Sequence, residues 1–123
     1  MNALMKAKSA YSAAKAPTRT VKDLEFDAVA RITRQMITAA KARPYDFKEM
    51  IAAVSANRRL WILFAADVAS EDNGLPMELK EQIISLAAFT KQHTSKVMSR
   101  EANIRPLVEI NTAIMRGLRS GAS

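Results

Sequence analysis

The chain contains no cysteine, which excludes disulfide frameworks, thiolate metal sites and thiol chemistry. Its glycines are limited to Gly74, Gly117 and Gly121, so neither a phosphate-cradling loop nor a dinucleotide-binding fingerprint can be assembled. The single histidine, His93, has no acidic or histidine partner at helical spacing. General-base and nucleophilic catalysis both need an oriented partner, so His93 reads as a packing residue at the edge of an apolar face. The acids Asp67, Asp72 and Glu78 do not fall at the offsets of a calcium loop. Neither an enzyme, nor a metal site, nor a cofactor is expected. The longest apolar run, Leu60 to Ala66, is seven residues, against the ~18 that mark a membrane span. The stretch from Met1 to Lys15 carries scattered lysines and no apolar run of signal-peptide length. A soluble, cytoplasmic protein is therefore the expectation.

What the sequence does hold is helix-forming material. It has 123 residues, 49% of them hydrophobic and 25% charged, which fits one domain spanning 1–123 with a core of its own. Alanine, leucine, isoleucine and methionine favour helix over strand. Pro17, Pro44, Pro76 and Pro106 divide the chain into five segments. The first, Asn2 to Ala16, has a thin apolar face of Leu4, Ala7, Tyr11 and Ala14. The second opens with Thr20 as N-cap and Asp23 three residues on. Its stripe is Phe26, Val29, Ala30, Thr33, Met36, Ile37 and Ala40, with acids early and bases late to suit the helix dipole. Pro44 ends it.

The third segment starts at Asp46 and Glu49, spaced as a capping box. Phe47, Met50, Ile51, Val54, Trp61, Ala65 and Val68 form its main stripe, and Leu60 and Leu63 lie off it. A helix apolar on two sides is the expected centre of a bundle. Asn73-Gly74 is its expected stop. The fourth begins with Pro76 at the first helical position, lines one face with Leu79, Ile83, Leu86, Ala87, Thr90 and Val97, and fades between Ser99 and Asn103. The fifth spans Pro106 to Arg116, with Leu107, Ile110, Asn111, Ile114 and Leu118 on one face and Gly117 at its end. Residues 119–123 read as a disordered tail. The fold class is all-α, an antiparallel bundle of about five helices.

Two features exceed plain packing. Arg58 falls within the stripe that carries Trp61, and Asn57 lies at its border. A buried polar group needs a partner, so Arg58 either bonds an acid such as Asp67 or a helix carboxyl end, or faces another protein. Leu60 and Leu63 are either a second core contact or an exposed interface patch.

Three stretches carry a family resemblance: Met1-Asn2-Ala3 to Tyr11 with Pro17-Thr18-Arg19-Thr20; Asn57-Arg58-Arg59-Leu60-Trp61 with Asp67 and Asn73-Gly74-Leu75-Pro76; and Leu107-Val108-Glu109-Ile110-Asn111 with Ile114-Met115-Arg116-Gly117-Leu118. In order and spacing they resemble the FlaF family of flagellar biosynthesis proteins of alphaproteobacteria. The polar run Lys91-Gln92-His93-Thr94 departs from the pattern and leaves the face of its helix open. The resemblance implies a cytoplasmic helical protein that binds flagellin before export. It further implies a role in flagellin secretion and in control of flagellin synthesis, alongside a FlbT-type regulator of flagellin messenger translation. Flagellin ends are amphipathic helices, which a helical groove can cover through anchors at i, i+3, i+4 and i+7. The residues expected to border such a site are Arg58, Leu60, Leu63, Leu107, Ile110 and Ile114. The alternative is an RNA-binding regulator of flagellin expression. It draws on the net charge of +7 and on Arg31, Arg34 and Lys41. Against it stand the low aromatic content of 6%, poor for stacking bases, and the spread of basic residues along the whole chain.

Overall fold

A computed structural model describes residues 21–70 and 74–121. Four helices account for the secondary structure among them: α1 (Val21–Lys41), α2 (Phe47–Val68), α3 (Met77–Met98) and α4 (Arg105–Gly121). The all-α expectation holds, with four helices described rather than five. The expected helix at 2–16 and the Thr20 cap lie outside the described residues.

Two apolar clusters show how the helices run. Met36 and Ala39 near the end of α1 meet Met50, Ala53 and Val54 near the start of α2, Val97 at the end of α3, and Ile104 and Leu107 at the start of α4. At the opposite end, Val29 and Ile32 of α1 join Leu60, Trp61 and Phe64 of α2. Consecutive helices therefore alternate in direction, as short connections require. α2 packs closely on α1 and on α3, and α4 lies on α1. α3 and α4, although consecutive, scarcely touch, and the diagonal pairs do not meet through their backbones. The bundle is a square with one thin edge.

Local chemistry explains most boundaries. Asp46 is the N-cap of α2, its Oδ1 accepting from the Lys48 N–H at 2.9 Å, which satisfies one orphan donor of the first turn. Arg43 Nη1 donates to the carbonyls of Ala40 and Ala42 at the end of α1, where a cation also meets the helix dipole. Pro76 sits one position before the expected place, as the N-cap of α3.

α2 ends at Val68, before Asn73-Gly74, with Ala69 as its C-cap. Gly117 does not stop α4, which continues to Gly121 and takes in part of the expected tail. No glycine among the described residues has a positive φ, so Gly117 is spent as an ordinary helical residue at a cost of ~1 kcal/mol relative to alanine. The Leu118 side chain lies outside the described ones. On α1 the buried face is turned slightly from the expected stripe: Ile32 and Ala39 are buried, while Ala30 and Ile37 are only half-buried.

The end of α3 is the most closely specified boundary. Arg100 adopts φ 64. Its N–H donates to the Val97 carbonyl at 3.0 Å, and the Glu101 N–H donates to the Lys96 carbonyl at 2.8 Å. These bonds form a Schellman motif with a non-glycine in the left-handed position. The Arg100 guanidinium lies 4.1 Å from the centre of the Phe47 ring, tying the end of α3 to the start of α2. His93 Nε2 donates to the Asn103 carbonyl at 2.8 Å and the ring stacks on Phe89, so the histidine braces the α3–α4 connection.

The stacking and the left-handed backbone act in opposite directions, which gives a test. Arg100→Ala keeps the strained backbone and loses the stacking, and is expected to cost about 0.5–1 kcal/mol. Arg100→Gly loses the same stacking but relieves the backbone by about 1 kcal/mol, and is expected to lie close to wild type. Chemical denaturation of the three proteins would give the order; equal losses for alanine and glycine would refute it.

Candidate functional site

At the centre of the bundle is a buried polar network. Asn111 of α4 is fully buried, as are Asn57 and Trp61 of α2, and Thr33 of α1 is nearly so. Trp61 Nε1 donates to Asn111 Oδ1 at 2.9 Å. Asn111 Nδ2 donates to Thr33 Oγ1 at 2.9 Å and to Asn57 Oδ1 at 2.8 Å. Thr33 Oγ1 in turn donates to the Val29 carbonyl at 2.7 Å. Both amide hydrogens of Asn111 are thus used, and its carbonyl oxygen accepts from the indole. Asn57 Nδ2 is buried without a partner; the bonds that do form favour one register between helices. The network locks α1, α2 and α4 and bridges the α2–α4 diagonal, where no backbone contact exists.

α3 takes no part in it. Its buried residues are Thr90, Thr94 and Val97, all in its second half. The Thr90 hydroxyl is buried with no hydrogen-bond partner. Leu79, Ile83, Leu86, Thr90 and Val97 recur at helical spacing, so they share one face. Burial along that face fades toward the start of the helix: Val97 and Thr90 are buried, Leu86 and Ile83 half-buried, and Leu79 is 36% exposed. Met77 at 68%, Ile84 at 42% and Phe89 at 38% add further exposed apolar surface.

From α3, Ile83, Leu86 and Ala87 rest on the Leu60–Trp61–Phe64 cluster; from α4, Ile110, Ile114 and Met115 rest on the same cluster. α3 and α4 scarcely touch through their backbones, and the line along which both pack over the cluster leaves Leu60, Trp61 and Phe64 buried beneath it. The result is an apolar seam with an aromatic floor, in which Trp61 and Phe64 meet edge to face at 5.4 Å. A depression of about 500 Å³ beside Leu86 is lined otherwise by Glu78, Glu81, Gln82 and Ser85, so one flank of the seam is acidic.

Of the residues expected to border a partner, Ile110 and Ile114 are half-buried walls of this seam and Leu60 belongs to its floor. Leu107 is fully buried in the cluster at the other end of the bundle. Leu63 and Arg58 are half-buried, at opposite edges of the buried face of α2. Asp67 is not Arg58's partner, because nine residues along one helix separate the two by about 13 Å and half a revolution. The residues missing from that set are Leu79, Ile83 and Leu86. Their spacing put them on the inner face of α3, and spacing alone carries no information on where that face loses its cover. Arg31, Arg34 and Lys41 are exposed on α1. Among the described residues no cluster of acids and histidine fit to hold a metal occurs, and no helix is long and apolar enough to cross a membrane.

A family model described as flagellar protein FlaF matches residues 7–118 of the chain. No curated protein and no solved structure matches it.

The network beneath the seam is testable by itself. Asn111→Ala leaves the Trp61 N–H and the Asn57 carbonyl oxygen buried without partners, and is expected to cost about 3 kcal/mol or more. The check is the midpoint of urea unfolding; a loss below about 1 kcal/mol, the size of a single ordinary hydrogen bond, would deny the network its central place.

Proposed function

The chain belongs to the FlaF family of flagellar proteins, and from that premise we propose that it binds unassembled flagellin in the cytoplasm, as a secretion chaperone and regulator of flagellin synthesis. The observation that carries this reading is the seam between α3 and α4. An amphipathic helix of flagellin outside the filament exposes an apolar stripe that needs cover. The surface on offer is the half-buried Ile83, Leu86, Ile110 and Ile114 above the buried Leu60, Trp61 and Phe64, with exposed Leu79 on the same face of α3. A helix laid on such a surface is held by anchors at i, i+3, i+4 and i+7. Half-buried Met115 packs on the same cluster, and thioethers adapt to partners of different shape. Binding of this kind calls for neither a cofactor nor a catalytic group. Control of synthesis follows if the flagellin-bound and free forms differ in what they present to a FlbT-type partner.

A second reading has its own observation. Arg31, Arg34 and Lys41 form an exposed basic stripe on α1, suited to phosphate contact. It supports an RNA-binding regulator whose affinity falls steeply with salt, and it uses a different surface from the seam.

Titration of purified flagellin separates the two. Leu79→Asp places a charge on the seam at a position exposed enough to spare the fold, and is expected to weaken flagellin binding at least about tenfold, or about 1.4 kcal/mol. Ile62→Asp, on the outward side of α2, is expected to leave binding unchanged. Wild-type affinity in a folded Leu79→Asp protein would sink the seam as the site. Salt-sensitive binding to flagellin messenger leader, with none to flagellin, would favour the second reading.

A further inference from the structure

The outer face shared by α2 and α3 lies on the other side of α3 from the seam. The contact of Arg100 with Phe47 sets the level of these two antiparallel helices. Counted from that contact, Ile62 lies about 22 Å along α2 and Ile84 about 24 Å back along α3, so the two isoleucines stand side by side. On α2, Ile62 is turned about 140° from the buried Asn57, toward the side of Phe47. On α3, Ile84 is turned about 180° from His93, which bonds to the lead into α4. Both point out of the bundle along the line where α2 meets α3. Both are exposed, Ile62 at 49% and Ile84 at 42%. Met77, two turns before Ile84 in the same column, is exposed as well. Around them the surface is built of alanine: Ala66 and Ala88 are exposed, Ala65 and Ala87 half-buried.

The charge on this face has one sign. Arg58 and Lys80 lie one turn from Ile62 and Ile84, and Lys91 two turns from Ile84, each within about 40° of its isoleucine. The acids of the two helices point elsewhere. Glu49 and Asp67 are turned about 140° from Ile62, and Glu78 about 120° from Ile84. Glu81, about 60° from Ile84, lines the depression beside Leu86. Arg58 therefore has no acid of its own face to meet. A nucleic acid would have to lay its phosphates across Ile62, Ile84 and Met77, and would find no exposed aromatic ring for its bases. A helix suits the face better: the two isoleucines stand on helices about 8–10 Å apart, close to the breadth of one further helix.

We infer that the α2–α3 face is a second docking surface, whose partner is an amphipathic protein helix with Asp and Glu flanking its apolar stripe. The stripe lies over Ile62, Ile84 and Met77, and the carboxylates meet Arg58, Lys80 and Lys91. Apolar anchors at helical spacing supply the hold, and the charges select the partner and speed its arrival. The surface is separate from the seam, so a chain that already holds one helix can take another.

The experiment follows fluorescence anisotropy of two synthetic helical peptides added to the full chain. Both carry the same leucine stripe; glutamates flank it in one and lysines in the other. The glutamate peptide is expected to bind at least about tenfold more tightly. Ile84→Asp is expected to weaken it by at least about tenfold, whereas Gln35→Asp, which adds the same charge at an exposed position of α1, leaves it unchanged. Lys91→Glu is expected to weaken the glutamate peptide and strengthen the lysine peptide, a reversal that misfolding does not produce. Equal affinity for the two peptides, no saturable binding of the glutamate peptide, or a loss caused by Leu79→Asp and not by Ile84→Asp would overturn the inference. Sedimentation with phosphatidylglycerol vesicles that Ile84→Asp abolishes, without binding of the glutamate peptide, would assign the face to an anionic lipid surface instead. The flagellin titration is read through Leu79→Asp at the seam, so the two readings fail separately.

Discussion

One side-chain amide organises the interior. Asn111 sits fully buried where three helices converge and meets the indole of Trp61, the hydroxyl of Thr33 and the amide of Asn57. Apolar contacts alone would let these helices slide by a turn at little cost, because aliphatic surfaces of similar volume are largely interchangeable. A buried amide admits one arrangement, since any slip strands a donor or an acceptor. The price is a demand on three separated parts of the chain to deliver their polar atoms to one point.

That constraint stops at α3. The helix is long and packs closely on α2, yet it adds nothing to the network, and one of its own buried hydroxyls has no partner. Its position is set instead at its carboxyl end, by the Schellman turn, the Arg100–Phe47 stacking and the His93 bond to the connection. Anchoring one end and leaving the other on aliphatic contacts makes the two ends unequal. The weaker end lies over the aromatic cluster, where the surface proposed for a partner also lies.

Much of this organisation could be read in the sequence, and the exceptions share a cause. Spacing put Thr33, Trp61 and Asn111 on inward faces, and Asp46 at the start of a helix. It did not show that the three polar residues meet, because periodicity names a face without naming the neighbour across from it. Asn57 was placed at a border and proved to be fully enclosed. Gly117 and Asn73-Gly74 looked like stops, but a glycine ends a helix only where the chain beyond has reason to turn. The true turn after α3 uses an arginine at positive φ, which glycine counting could not find. For the candidate site, Ile110, Ile114 and Leu60 were legible as apolar surplus. The α3 side was not, since burial along its inner face fades toward Leu79 in a way that spacing within one helix does not encode.

The residues proposed to meet a partner helix, Leu79, Ile83, Leu86, Ile110 and Ile114, are all hydrocarbon, and this has a consequence for selectivity. A groove that offers no directional bond cannot proofread its guest residue by residue; it measures girth and the rhythm of greasy contacts. Chains of divergent sequence but equal periodicity would be gripped alike, and preference among them would be left to the acidic lip formed by Glu78 and Glu81.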